Sequence, residues 1–269
     1  MIFNLNMYAK KSLGQHFLKS ERALSSIIEA GKISPTDTIL EIGPGTGLLT
    51  ERLLSTGSKV LAIEKDDELF ELLKEKFKEE IESKQLNLIH DDILKFETFD
   101  LKNYKLIANI PYNITGAILE KFLSSENQPT LMVLLVQKEV AKRIVAQDGK
   151  ESILSISVKA YGKPRYVDTV LAGSFVPAPR VDSAIISIED SSKNWFAEIP
   201  EKEFFKILKA GFQAKRKKLS SNLSVILDKK RVLEAFESLK LGENVRAEDT
   251  NLQIWQKLAK ILLREGDRG

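Results

Sequence analysis

From residue 36 to about residue 190 the chain alternates short apolar runs with longer amphipathic ones, and nothing else in it restricts the fold as much. The short runs are TILEIG (38–43), KVLAIE (59–64), LNLIH (86–90), KLIAN (105–109), LMVLLVQK (131–138), YVDTVLA (166–172) and SAIISIE (183–189). Each has the length of a strand, and LMVLLVQK is too apolar to keep one face wet, which marks it as central. Helical patterns lie between them: LLTERLLSTG, ended by Gly57; a run over 68–84 with apolar residues at 69, 70, 73, 77 and 81; TGAILEKFLSS; a helix from about Glu139; and another around 153–160. Such alternation predicts an α/β fold built on a mostly parallel sheet covered on both faces. The last two strands have no helix between them, so an antiparallel, hairpin-like edge is expected. Beyond residue 190 only helices follow, after a linker-like stretch DSSKNWFAEIPEKE. This places a domain boundary there, giving domains 1–190 and 191–269.

Charge narrows the choice of partner. Net charge is only +3, but residues 1–22 carry +3 and residues 202–231 carry +8, leaving −8 on the rest. Two basic blocks on an acidic body suggest a polyanionic partner. There is no cysteine, which excludes disulfides, thiolate metal sites and a cysteine nucleophile. With only His16 and His90, no metal site is expected. No apolar run approaches the ~20 residues of a membrane span, and the first residues lack a signal-peptide pattern. A cytoplasmic protein that does not enter a membrane is expected.

The turn after the first strand, EIGPGTGLLT (41–50), opens a helix and carries Gly43, Gly45 and Gly47. Glycines at a strand–helix junction let the backbone turn tightly and approach a ligand, and sheet ligands gather at the carboxyl ends of strands. Glu64 ends the second strand, where an acid can accept both hydroxyls of a ribose. Asp92, just past the third strand, can accept from an adenine amino group, although loop aspartates more often cap a turn. Together these residues describe a site for an adenosine group. NAD and S-adenosylmethionine both carry one. The GxGxG spacing, and the absence of a histidine after a late strand, favour S-adenosylmethionine.

ANIPYN (108–113) ends the fourth strand beside that site. The Asn109 side-chain oxygen can accept from an amino group. Pro111 fixes its own φ and biases Ile110 to an extended backbone, which can aim the Ile110 carbonyl the same way. Tyr112 offers a flat face on which a base can stack. Two acceptors converging on one exocyclic amine, with a stacking ring, suit a flipped-out adenine held by N6. Positioning and electrostatics can then carry methyl transfer without a strong base.

These residues resemble the small-subunit (16S) ribosomal RNA adenine N6,N6-dimethyltransferases, the KsgA-type family, over nearly the whole chain. KKSLGQHFL (10–18) is similar to its N-terminal motif, EIGPGTGLLT to its cofactor loop, NIPY to its catalytic motif and SFVPAPRVDSA (174–184) to its F-x-P-x-P-x-VDS segment. GFQAKRKKLSSNL (211–223) and the last helix pair (244–262) resemble its C-terminal signatures. Lys215 stands where arginine is common, which keeps the charge but loses the bidentate fork.

The resemblance implies a Rossmann-like S-adenosylmethionine-dependent methyltransferase sheet with a small all-α C-terminal domain. It implies cofactor binding by His16, the backbone at Leu18, Gly43, Gly45, Glu64, Asp92 and Asn109. It implies catalysis by Asn109, Ile110, Pro111 and Tyr112, with Phe175 stacking on the target base opposite Tyr112. On the residues alone, Phe175 could equally be core. Lys215, Arg216, Lys217 and Lys218 would grip RNA phosphates.

The implied reaction is dimethylation of two adjacent adenosines in the 3′-terminal hairpin loop of 16S rRNA. The implied partner is a small-subunit assembly intermediate, and a monomer is the default expectation. The rivals are a large-subunit (23S) rRNA adenine methylase of the antibiotic-resistance type, a mitochondrial relative doubling as a transcription factor, a small-subunit assembly factor with incidental catalysis, and a DNA adenine methylase. PGTG, the VDS segment and the 211–223 signature favour the small-subunit enzyme.

Overall fold

In a computed structural model, residues 14–98 and 101–263 are described. The basic stretch expected at the N-terminus therefore lies, for residues 1–13, outside the described residues. The elements of the first part of the chain are β1 (Phe17–Leu18), α1 (Glu21–Gly31), β2 (Thr38–Ile42), α2 (Leu48–Leu54), β3 (Lys59–Glu64), α3 (Asp67–Lys76), α4 (Lys78–Glu82), β4 (Leu86–His90), β5 (Tyr104–Asn109), α5 (Thr115–Ser124) and β6 (Leu131–Gln137). There follow α6 (Lys138–Val145), α7 (Ile153–Lys159), β7 (Lys163–Val170), β8 (Phe175–Val176) and β9 (Ser183–Glu189), then α8 (Glu201–Gly211), α9 (Leu219–Leu223), α10 (Lys229–Ser238) and α11 (Leu252–Leu262).

Seven strands form one sheet in the order β4-β3-β2-β5-β6-β9-β7. All pairings from β4 to β6 are parallel, whereas β9 runs antiparallel to both β6 and β7. The antiparallel hairpin expected at the edge is thus β7–β9, and its reversed strand is the inner one. Alternate strand residues point to opposite faces, yet Leu131 to Val136 are all buried. Both faces are covered, as the unbroken apolar runs require. One face packs Ile39, Val60, Ala62, Ile107, Val133 and Ile185 against Leu24 and Ile27 of α1. Helix α1 starts at Ser20, whose side chain accepts from Ala23 N. The strand order reverses at β2, which has β3 and β4 on one side and β5 and β6 on the other. Ligand sites of open α/β sheets form at such a point.

Two expectations need correction. The helix expected over 68–84 breaks at Phe77, which leaves helical geometry (φ −112°, ψ 34°) and separates α3 from α4. Its buried ring lies so close to Gly47 that a β-carbon there would stand 2.5 Å from it. The boundary at residue 190 is also not a single cut. The chain divides into one compact unit of residues 1–141 and 162–191 and a second of 142–161 and 192–269.

The second unit takes in α7 because Ile156 and Ala160 are buried in its core with Phe204, Ile207 and Trp255. The stretch read as a linker is part of the same packing. Trp195 and Phe196 stand within 6 Å of Phe204, centroid to centroid, and Ile199 is buried. Gly211 is required where it stands, because a β-carbon would lie 2.3 Å from the Trp255 ring. Among the described residues, no helix is long and apolar enough to cross a membrane.

Candidate functional site

A cavity of about 260 Å³ opens at the carboxyl ends of β2, β3 and β5. Its wall includes the loop 43–46, Glu64 and Lys65, Asp91 and Asp92, residues 109–114 and the segment 14–18. His16, Leu18, Gly43, Gly45, Glu64, Asp92, Asn109, Ile110, Pro111 and Tyr112 are therefore brought together, although up to 96 positions separate them in sequence.

The segment 16–18 is held there by a two-stranded ribbon. β1 pairs with β8, Phe17 with Val176 and Leu18 with Phe175. Lys19 N donates to Ser174 O at 2.8 Å, and His16 Nδ1 lies 2.7 Å from the Pro177 carbonyl. The N-terminal motif and the FVPAP motif, distant in sequence, thus form one piece of structure. The ribbon also fixes where Phe175 lies. In β8 its side chain points inward while Val176 points out, and at 2 % exposure it belongs to the core with Leu18 and Leu24. It does not line the cavity.

Loop 43–47 follows β2 with positive φ at all three glycines. Gly43 N donates to Ile63 O at 2.9 Å, and a β-carbon on Gly43 would meet nothing within 4 Å. The backbone itself is therefore the cavity wall, and the space a side chain would fill is left open. Gly45 N donates to Glu64 Oε2 at 3.1 Å, while Lys65 N and Asp66 N both donate to Oε1 at 2.9 Å. Burial raises the Glu64 carboxyl above its usual value, against the pull of these three N–H groups. Asp92 differs. Lys65 Nζ at 2.9 Å and Leu94 N at 3.0 Å hold its carboxyl below the usual range, so it is an ionised acceptor.

At the end of β5, Asn109 Nδ2 donates to the His16 carbonyl at 3.1 Å. This fixes the amide and leaves Oδ1 as its open acceptor. Pro111 (φ −56°, ψ 134°) breaks the strand, and a single 3₁₀ turn, Tyr112–Ile114, leads into α5. The Tyr112 hydroxyl lies 2.7 Å from Ser183 Oγ at the start of β9. The His16 ring stacks on Tyr112 with centroids 5.6 Å apart. Burial raises the Tyr112 hydroxyl above its ordinary value. At neutral pH it is therefore a neutral phenol and not a base.

Two participants escape a reading of the sequence. Ser183 is fully buried beneath Tyr112, and its signal is the VDS triplet. Asp182 beside it accepts from Ala172 N at 3.1 Å and pairs with Lys138. Glu41 lines the cavity from the interior of β2, where an acid in an otherwise apolar strand is the available signal.

In the second unit, Lys215, Arg216 and Lys217 are exposed and, among the described residues, in no ion pair. Lys218 pairs with Glu243 at 2.9 Å. The buried Asn222 donates to Gly211 O at 2.7 Å and Ala214 O at 3.1 Å, pinning the turn that presents the basic run.

Residues 6–263 match the family described as ribosomal RNA adenine dimethylase. The chain is 41 % identical over 267 residues to the ribosomal RNA small subunit methyltransferase A of Dehalococcoides mccartyi, covering 97 % of this chain and 91 % of that protein. It is 40 % identical over 269 residues to the protein of the same name from Nostoc sp., covering 94 % and 97 %. Among solved structures it resembles a dimethyladenosine transferase from Plasmodium falciparum, with TM-score 0.80 and 30 % identity over 90 % of this chain and 96 % of that one. The 23S rRNA methyltransferase ErmE shares the fold, with TM-score 0.76 at 24 % identity over 91 % of this chain and 99 % of that one. The chain belongs to the ribosomal RNA adenine dimethylase family.

Proposed function

We propose that the protein uses S-adenosylmethionine to dimethylate N6 of two adjacent adenosines in the 3′-terminal hairpin loop of 16S rRNA. It would act as a cytoplasmic monomer on a small-subunit assembly intermediate. The observation that carries this reading is the Asn109 amide, anchored through Nδ2 to the His16 carbonyl, with Oδ1 open on the wall shared with Ile110, Pro111 and Tyr112.

The residues of the cavity fit the cofactor. Open space beside Gly43 admits a ligand against the backbone, Glu64 keeps acceptor capacity for ribose hydroxyls, and Asp92 is an ionised acceptor for an adenine amine. His16 and the Leu18 backbone close the same wall. When bound, the cofactor supplies an electrophilic methyl group on a sulfonium.

The chain's own part is to hold the amine. Asn109 Oδ1 and the Ile110 carbonyl accept the two N6 hydrogens. Those bonds draw the nitrogen away from conjugation with the ring and orient its lone pair. Tyr112 supplies the stacking face, and its hydroxyl, tied to Ser183, keeps the ring from turning. No residue at the site has the character of a strong base, and the proton lost from N6 passes to solvent.

Lys215, Arg216 and Lys217 grip phosphate in this reading, with Lys218 released from Glu243 to join them. They supply affinity and little base choice. Asn109→Ala protein tests the assignment. It is expected to bind unmethylated small subunits like wild type while losing methyl transfer. Undiminished transfer would overturn the amine-clamp reading.

A further inference from the structure

Two acids of the cavity wall have no role so far: Asp91, whose Oδ1 accepts from Asp92 N at 2.7 Å, and the more deeply buried Glu41. Glu41 is 1 % exposed on β2 and lines the cavity, and its Oε2 is buried without a hydrogen-bond partner among the described residues. The groups that face it are Thr50 from α2, Glu64 from β3 and Lys76 from α3. Lys76 is committed elsewhere, 3.3 Å from the Glu51 carboxylate and 3.2 Å from the Thr46 carbonyl. The other ionic pair of the wall, Lys65 with Asp92, is satisfied internally at 2.9 Å. A carboxylate with one buried oxygen left without a partner is costly in such a place, so the group stays protonated. Burial, and then the neighbouring Glu64, push it up to about 8 against the pull of Thr50 and Lys76.

We propose that Glu41 is the counter-ion for the ammonium of the cofactor's amino-acid end, and that uptake of each ligand drives a proton off Glu41 into solvent. The inference rests on the cofactor assigned under Proposed function. The O–H bond of Glu41 breaks, its proton goes to buffer, and the carboxylate left behind pairs with the ammonium. No other bond changes. A buried orphan oxygen on a cavity wall otherwise has no compensation, and a cation brought against it supplies one. The product S-adenosylhomocysteine lacks the sulfonium charge but keeps the ammonium, so it releases the proton too. 5′-Methylthioadenosine has the nucleoside without the ammonium and does not.

Titration calorimetry at pH 6.5, in two buffers of different ionisation heat, tests this. S-Adenosylhomocysteine is expected to release about one proton more per site than 5′-methylthioadenosine, because Glu41 goes from protonated to ionised. Its Kd should tighten between pH 6 and pH 7, by at most about tenfold. With Glu41→Gln the extra release should vanish and the Kd should become flat over that range. Equal proton release for the two ligands on the wild-type protein overturns the inference, whatever the variant does. Unchanged release in a folded Glu41→Gln protein overturns it as well. If neither S-adenosylhomocysteine nor S-adenosylmethionine binds at all, the cofactor assignment itself fails, and this inference with it.

Discussion

The Tyr112 hydroxyl and Ser183 Oγ stand 2.7 Å apart, across 71 residues of sequence. This bond joins the end of β5 to the start of β9 and fixes the plane of the one aromatic ring that NIPY presents to the cavity. A neutral hydrogen bond of this kind contributes about 0.5–1.5 kcal/mol. Ser183→Ala is therefore expected to lower kcat by about 2- to 12-fold, the rate equivalent of that loss. Tyr112→Ala, which also removes the stacking face, should lose about 1–3 kcal/mol more. Steady-state methylation of unmethylated subunits measures both, and equal rates for wild type and Tyr112→Ala would end the stacking assignment.

Glu64 accepts three backbone N–H groups and keeps the loop at Gly45 in register with β3. Glu64→Ala should weaken S-adenosylmethionine binding by at least about tenfold, since a charged-group hydrogen bond contributes about 1.5–3 kcal/mol. Equilibrium binding checks this directly. Unchanged affinity would show that Glu64 does not touch the ligand.

Stability of the ligand-free protein should carry the imprint of Glu41. Its folded value lies near 8, raised from 4.5. Between those two values the unfolded chain holds fewer protons than the folded one, so this group lowers stability as pH rises, and the loss is complete above the folded value. Glu64, also raised by burial, acts in the same direction. Glu41→Gln should therefore raise Tm relative to wild type more at pH 8 than at pH 5. Thermal melts at the two pH values decide it, and a gain that is larger at pH 5 would contradict the assigned shift.

Reversing the charge of Lys215, Arg216 and Lys217 to glutamate should weaken subunit binding across RNA sequences and flatten its salt dependence. Each phosphate that is no longer neutralised reduces the slope of log K on log salt by about 0.7–0.9. Filter binding at several salt concentrations measures this. Affinity and slope both unchanged would make the run a solvated surface and nothing more.

Much of this is legible in the chain. β3, β4 and β9 begin and end where KVLAIE, LNLIH and SAIISIE do, because apolar runs of strand length bounded by turn residues leave little choice. The positions of the glycine loop, Glu64, Asp92 and NIPY are legible for the same reason: each lies at or within two residues of the end of a strand, and carboxyl ends of parallel strands converge. The illegible parts depend on pairings remote in sequence. β1 and β8 are two residues each, too short to show a period, and only their mutual pairing defines them. That pairing sends Phe175 into the core, whereas a motif match alone puts it at the site. α1 carries a readable signal in Ser20 and the spacing of Ala23, Leu24 and Ile27, but it lies outside the strand–helix alternation that begins at residue 36. The assignment of α7 to the second unit rests on Ile156 and Ala160 meeting Phe204, which no local pattern announces.

The most direct measurement of the central claim is to incubate the protein with radiolabelled S-adenosylmethionine and, separately, unmethylated small subunits, large-subunit RNA and duplex DNA, and then map the labelled base. The account predicts label as N6,N6-dimethyladenosine near the 3′ end of small-subunit RNA. Label only in large-subunit RNA or DNA, or no label with subunit binding intact, would contradict it.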